Sequence, residues 1–286
     1  ASDIGLLRCH PEVSFRLDNQ AIYNYLFFHV VPSPGSIFTG ISKLPPAHRL
    51  EFDGSNCRIS RYWTPHFANT LSEPVERTKE TVVPTVIDAV GRCGVGPETG
   101  AFLSGGLDSS TVCGALQSIQ TTAAKVFSVG FAAEGYDEIH FAEAAARHFG
   151  LDHHVHYITP QEVVDAVPRV ARAYDEPFGN SSAVPTLVCA EFARSHEITR
   201  LLAGDGGDEI FSGNTRYRKQ KLFESYFAVP KLLRSKVIQP LFATSGETSK
   251  LGKGPLRKIT RYVDQALVPL PDRLESHNLM QMVALA

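Results

Sequence analysis

Between Phe102 and Cys113 the chain reads FLSGGLDSSTVC, with two glycines, three serines and an aspartate between an apolar run and a helix start. Gly105 and Gly106 can adopt positive φ and let a ligand approach the backbone closely. A helix starting near Ser109 turns unpaired N–H groups and the positive end of its dipole toward the loop. Hydroxyls of Ser104, Ser109 and Ser110 add donors, and together these features form a cradle for phosphate oxygens. The commonest phosphate loop, G-x-x-x-x-G-K-[ST], is absent, and so is its lysine. Asp108 would repel phosphate unless a divalent cation stood between them. Mg2+ is the natural bridge, because it takes a few carboxylates together with phosphate oxygens.

A second loop, AGDGGDEIFSG, sets Asp205, Asp208 and Glu209 among glycines. Carboxylates so close together are costly without a cation or a positively charged substrate. One of them could ligate the same Mg2+, and another could accept a proton from an attacking amine. The plainer alternative is an acidic turn whose carboxylates serve the first turn of a helix.

The elements around the loops must carry both to one place. TGAFLSG (Thr99–Gly105) reads as a short apolar strand, Ser109 to Ile119 as a helix, and AKVFSVGF (Ala124–Phe131) as a second strand. Asp137 can cap a helix over EIHFAEAAARHFG that stops at Gly150. DHHVHYI (Asp152–Ile158) is a third strand, helices follow around 160–173 and 184–196, and ITRLLAGDGGDE supplies a fourth strand. This alternation predicts an α/β protein, an open and mainly parallel sheet with helices on both faces. In such sheets ligands bind beyond the carboxyl ends of the strands. Both glycine loops follow strands directly, so both belong on that edge. Before about Thr81 the chain is loop-rich: QAIYNYLFFHV reads as a short helix, and HRLEFDG with CRISRYW as a hairpin turned at Asp53-Gly54. Beyond about residue 222 it reads as helical.

The 286 residues suffice for one large domain or one domain with an appendage. Hydrophobic content of 43%, charged content of 20% and a net charge of −2 describe a soluble protein with no global attraction to nucleic acid or anionic membrane. The cysteines, Cys9, Cys57, Cys93, Cys113 and Cys189, are scattered and never form C-x-x-C, so a reducing cytoplasm fits better than a disulfide framework. No apolar run is long enough to span a membrane, and ASDIGLLRCH has no signal-peptide pattern.

SGGLDSS resembles the pyrophosphate loop of the N-type ATP pyrophosphatases. The ordered set VFSVGF, GYDEIHFAEAAARHFG, HHVHYITP, YDEPFGNSSAVPT and LLAGDGGDEIFSGNTRYR resembles the synthetase domain of glutamine-dependent asparagine synthetases. SIFTGISKLPPAHRLEF and RYW are similar to the segment joining that family's glutaminase domain to its synthetase domain. The resemblance runs from about residue 15 to about 275 and implies an adenine nucleotide alpha hydrolase-like, Rossmann-like sheet. It divides the chain into a connecting segment, 1–70, the end of a glutaminase domain with its linker, and a synthetase domain, 71–286, expected to be truncated at its C-terminus. It implies ATP-dependent conversion of aspartate to β-aspartyl-AMP and pyrophosphate, followed by attack of ammonia supplied by a glutaminase domain or subunit. Leu103, Ser104, Gly105 and Gly106, with Ser109 and Ser110, would bind ATP and its pyrophosphate. Val129 would line the adenine or ribose site, and Ala203-Gly204 would approach the nucleotide. Asp108 and Asp208 would hold Mg2+, and Asp205 falls where the family has an acidic residue proposed to assist amine attack.

Three departures accompany the resemblance. The family's glutaminase half begins with a catalytic cysteine, whereas Ala1 stands first here and Cys9 lies in connecting sequence. Ala203 replaces a frequent serine, and LPDRLESHNLMQMVALA does not supply the family's later catalytic lysine. The expectation is a fragment without its ammonia source and with part of the synthetase site missing. Other readings are a related synthetase with another acceptor, as in β-lactam or lasso-peptide formation, an NAD, GMP or tRNA-modifying relative, or a nucleotide-binding domain without turnover. A homodimer is compatible with all of them.

Other features attract plainer readings. His153, His154 and His156 read as a half-exposed strand end instead of a metal site, the first two pointing to opposite faces. RYRKQK (Arg216–Lys221) reads as a solvated helix face, GVGPETG as a turn and Trp63 as packing. YDEPF reads equally as the border of a substrate pocket or as a turn at a helix end.

Overall fold

The computed structural model describes residues 1–66, 74–132, 137–211, 213, 215–242, 255–268 and 273. They fall into two compact units, Ala1–Asp205 and Gly206–Ala286. The first unit opens with a 3-10 turn, Gly5–Cys9, and helix α1, Asn19–Phe28. Asp18 caps α1 by accepting from the N–H groups of Gln20 and Ala21 at 2.8 and 3.2 Å. The expected hairpin is present: β1, His48–Phe52, pairs antiparallel with β2, Cys57–Arg61. Asp53 shapes its turn by accepting from Ser55 and Asn56 N–H at 2.9 and 2.7 Å, and Gly54 supplies the positive φ of 95°. Trp63, expected to pack, is instead exposed, as are Leu50, Phe52 and Ile59 on the hairpin.

The α/β body begins at α2, Val75–Arg92, and continues β3 (Thr99–Phe102), α3 (Leu107–Ile119), β4 (Lys125–Phe131), α4 (Ile139–Phe149) and β5 (Asp152–Ile158). It then runs through α5 (Pro160–Ala173) and α6 (Ala183–Ser195) to β6 (Arg200–Leu202). The last four strands are parallel and ordered β5-β4-β3-β6. The chain builds outward from β3 to β5 and then returns to the other side of β3. The strand order therefore reverses between β3 and β6, and that crevice is where open α/β sheets bind ligands.

Alternation along the strands builds two cores. Ala101, Leu103 and Val126 face α2, α3 and α4, meeting Val90, Cys113, Leu116, Ala142 and Ala146. Phe127 faces the other way onto Cys189, Ala193 and Ile198, with Phe102, Val129 and Leu201 beside it. Ile158, Ala166 and Val188 extend that second core under α5. The expected architecture, a parallel sheet with helices on both faces, is thus the observed one.

Two local expectations are corrected. Helix α3 starts at Leu107, not near Ser109, because extended Gly106 (φ −68°, ψ 161°) serves as its N-cap without a side-chain cap bond. Gly105 has a positive φ of 81°, but Gly106 does not.

The second unit is helical: α7 (Gly207–Phe211), α8 (Thr215–Phe227), α9 (Lys231–Leu233), a π-helical turn (Arg234–Ile238), α10 (Gln239–Phe242) and α11 (Pro255–Leu267). Its core joins Phe223 and Tyr226 of α8 to Val263 and Ala266 of α11. No described helix is long and apolar enough to cross a membrane.

Candidate functional site

Strand β3 delivers the first glycine loop to the carboxyl edge of the sheet. Leu103 is buried, and its N–H still donates to Phe127 C=O at 2.9 Å as the last bond of the strand. From Ser104 the backbone is held by a small ring of hydrogen bonds. Gly106 N–H donates to Ser104 Oγ at 3.3 Å, and Ser104 and Ser109 Oγ lie 2.9 Å apart. Ser109 Oγ in turn donates to Gly106 C=O at 3.2 Å and accepts from Ser104 N–H at 3.2 Å. A hydroxyl has one proton. Ser109 spends its proton on Gly106, so Ser104 must spend its own on Ser109. The two serines therefore hold the shape of the loop, and backbone N–H groups stand beside them as further donors for an anion.

Those N–H groups belong to the first turn of α3, where Leu107, Asp108 and Ser109 precede the first intrahelical partner. The first helical bond runs from Ser110 N–H to Gly106 C=O at 3.0 Å. Asp108, Ser109 and Ser110 are half-buried, while Ser104, Gly106 and Leu107 are exposed. Gly105 has a second reason to be glycine. A Cβ there would lie 2.5 Å from both Phe141 Cβ and Ala142 N, inside the start of α4. The close approach that it permits is that of a helix.

Strand β6 delivers the second loop beside the first. A Cβ on Gly204 would lie 2.9 Å from the Asp108 carbonyl carbon and Cβ, and 3.0 Å from Ser109 N. The backbone of the second loop therefore rests on the first turn of α3. Of the residues singled out from the sequence, Leu103 to Ser110 and Ala203-Gly204 come together here. Exposed Asp205 ends the first unit. Val129 stands on the carboxyl half of β4, half-buried against the α5–α6 core. Asp208 lies in the second unit, in the first turn of α7, and its C=O accepts from Gly213 N–H at 3.3 Å. Among the described residues no three His, Cys, Asp or Glu side chains form a metal-binding group.

The histidines of β5 separate by face. His153 Nε2 lies 2.7 Å from Ser128 Oγ, and Ser128 donates to Leu103 C=O. Burial is the largest influence on His153 and pushes its pKa below 6.5; His154 adds to that effect and Glu143 opposes it. His154 stacks on Phe127 at 5.2 Å, and His156 Nε2 lies 2.8 Å from Glu162 Oε1. The sequence reading missed Ser128. The signal available was a hydroxyl at a strand position that alternation assigns to an apolar face.

YDEPF follows the end of α5 and ties down the N-terminal segment. Asp175 accepts from Ile4 N–H at 2.7 Å, Glu176 from Ile37 N–H at 2.6 Å and Lys43 Nζ at 2.5 Å. Tyr174, Asp175, Glu176 and Phe178 border a cavity of about 440 Å³ together with Lys43 and Val30. RYRKQK lies on α8, with Lys219 and Lys221 exposed.

Residues 84–278 match the family described as asparagine synthase, and residues 1–63 match the glutamine amidotransferase domain. A putative glutamine-hydrolysing asparagine synthetase of Mycobacterium tuberculosis is 31% identical over 87% of this chain and 39% of its own length. Asparagine synthetase 1 of Bacillus subtilis is 28% identical over 78% of this chain and 35% of its own. A protein of Gibberella zeae named amidase chry2 is 23% identical over 76% of this chain and 35% of its own. The chain thus spans about two fifths or less of the length of these relatives.

Proposed function

Because the chain belongs to the asparagine synthase family, we propose that residues 71–286 form an ATP-dependent carbon–nitrogen ligase domain that adenylates a carboxylate, aspartate first among candidates. The observation that carries this reading is the seat of Gly204 on Asp108 and Ser109, which joins both glycine loops at the reversal of strand order. The uncapped N-terminus of α3 turns three backbone N–H groups toward that crevice, where they would hold the β and γ phosphates. A carboxylate oxygen of the acceptor forms a bond to the α phosphorus while the bond to the β-phosphate oxygen breaks, releasing pyrophosphate. Ammonia then attacks the acyl carbon, AMP leaves, and Asp205 accepts the proton that the amine sheds. Ammonia would come from an amidotransferase domain, to whose end residues 1–63 would belong, as their match supports, with the rest of 1–70 leading into the ligase domain.

In this reading Mg2+ would bind together with the nucleotide. One or two carboxylates plus phosphate oxygens suffice for it, and Asp108, on the first turn of α3, would supply a carboxylate beside the bound phosphates. When bound, the ion would neutralise charge on the departing pyrophosphate. Asp108→Asn keeps the shape of the side chain and removes its charge. Its Mg2+-dependent affinity for ATP, measured by calorimetry, should fall at least about tenfold. Undiminished affinity would move the metal to another residue.

The deciding measurement is ATP–pyrophosphate exchange in the natural full-length protein, screened over carboxylates. Exchange that depends on aspartate supports the asparagine-forming reading, and exchange with no carboxylate would sink the ligase reading. A second reading, a related synthetase with another acceptor carboxylate, shares every motif named above. The same screen separates the two.

A further inference from the structure

We propose that buried Ser128 and half-buried His153 form a strut that sets the direction in which the chain leaves β3, making both positioning residues for the phosphate loop. The proposal deepens the nucleotide-binding reading above and rests on it for the loop's purpose. Ser128 lies on β4, two residues beyond Val126 and on the same face, which packs against α3 and α4. It is 3% exposed. A hydroxyl buried among apolar side chains costs free energy unless it is bonded, so this one calls for partners. It has two.

Leu103 C=O, 2.5 Å from Ser128 Oγ, can only accept, so the serine's single proton is committed there. Ser128 Oγ must then accept from His153, whose Nε2 is 2.7 Å away. That pattern of bonds assigns a proton to Nε2. His153 reaches Ser128 because it sits opposite Val126 in the parallel ladder and shares its face.

The consequence falls on one peptide group, Leu103–Ser104. Ser128 grips its C=O, and its N–H donates to Ser109 Oγ at 3.2 Å. A peptide group is planar, so holding both of its polar ends fixes its plane. The next residues are Gly105 and Gly106, which have little conformational preference of their own. Their course depends on how the chain enters the turn, and the direction of the first N–H groups of α3 depends on theirs. The strut thus acts on phosphate binding through the backbone, with no contact to the ligand.

The test compares Ser128→Ala, His153→Leu and His153→Gln in the full chain, the last keeping an N–H donor near the position of Nε2. Amide hydrogen exchange is read first, without nucleotide. In Ser128→Ala the Ser104 and Gly106 amides should exchange about tenfold faster, with Ala115 and Leu116 in the middle of α3 unchanged. His153→Leu should share the effect, and His153→Gln should recover most of the protection. Unchanged loop exchange overturns the proposal. So does a uniform rise across α3, which would mark ordinary core packing. Affinity for Mg·ATP, read second, should weaken about tenfold in Ser128→Ala and recover in His153→Gln. If the unaltered protein binds neither Mg·ATP nor pyrophosphate, the function proposed above fails, while the exchange data still decide the strut.

Discussion

Burial pushes the Cys113 and Cys189 thiols up to about 12, because neither can form a thiolate cheaply inside the two cores. Cys9, Cys57 and Cys93 are exposed. A maleimide should therefore add three groups to the native protein and five after denaturation, counted by mass. A fourth adduct under native conditions would mean that α3 or α6 opens readily. His153 gives a pH signature of its own. Its folded pKa lies below the unfolded 6.5, chiefly through burial, so the unfolded chain takes up a proton first as pH falls. The stability held by the neutral ring is complete above 6.5 and is lost as pH drops from there toward the folded value. Urea midpoints measured from neutral pH downward should decline less steeply in His153→Gln than in the parent. An equal slope would assign the acid sensitivity to other groups.

At the level of elements, the turn after β3 and the start of α5 make opposite demands. Gly105 combines a φ of 81° with a backbone neighbour where a Cβ would sit. Gly105→Ala should destabilise by at least about 1–2 kcal/mol from the left-handed conformation alone, with more from contact with α4, seen as a lower thermal midpoint. Helix α5 begins with a capping box: Thr159 Oγ1 accepts from Glu162 N–H, and the Glu162 carboxylate accepts from Thr159 N–H at 2.7 Å. That backbone donor, then the Thr159 hydroxyl and His156, hold the Glu162 carboxyl at about 2. Its contribution is present above 4.5 and lost as pH falls toward about 2. Thr159→Ala should cost about 1 kcal/mol in denaturant unfolding. The span of α5 was legible, the helix expected around 160–173 being Pro160–Ala173, while the box at its start went unread. Helix α3 was legible except at its start, because a glycine N-cap carries no side-chain signature.

For the whole first unit, the body grips the N-terminal segment through one short stretch. Glu176 accepts from Ile37 N–H and from Lys43, Lys43 also donates to Val31 C=O at 2.6 Å, and Gly179 N–H donates to His29 C=O at 2.9 Å. The Lys43 and Glu176 side chains are 28% and 15% exposed, and removing Glu176 leaves Lys43 only its bond to Val31 C=O and leaves Ile37 N–H without its acceptor. Glu176→Ala should cost about 1–2 kcal/mol and make the segment around residues 30–43 cleave sooner under limited proteolysis. Cleavage at the parent's rate would show that the remaining contacts suffice.

Periodicity and punctuation were enough to determine the class of fold, since strand and helix periods and the glycines that interrupt them are local properties. They also assigned both glycine loops to the carboxyl edge, because each follows a strand in a parallel sheet. They did not determine which strands are neighbours. Strand order is decided by how whole faces pack, and it alone puts β6 beside β3 and Gly204 on Asp108. It also lets Ser128 reach Leu103 and His153, each 25 residues away in sequence. The hydroxyls of Ser104 and Ser109 looked like ligands by residue type; the tertiary structure adds that they also close the turn in which they lie. Composition and spacing decided which chemistry the chain could hold, and tertiary packing decided which atoms are left to perform it.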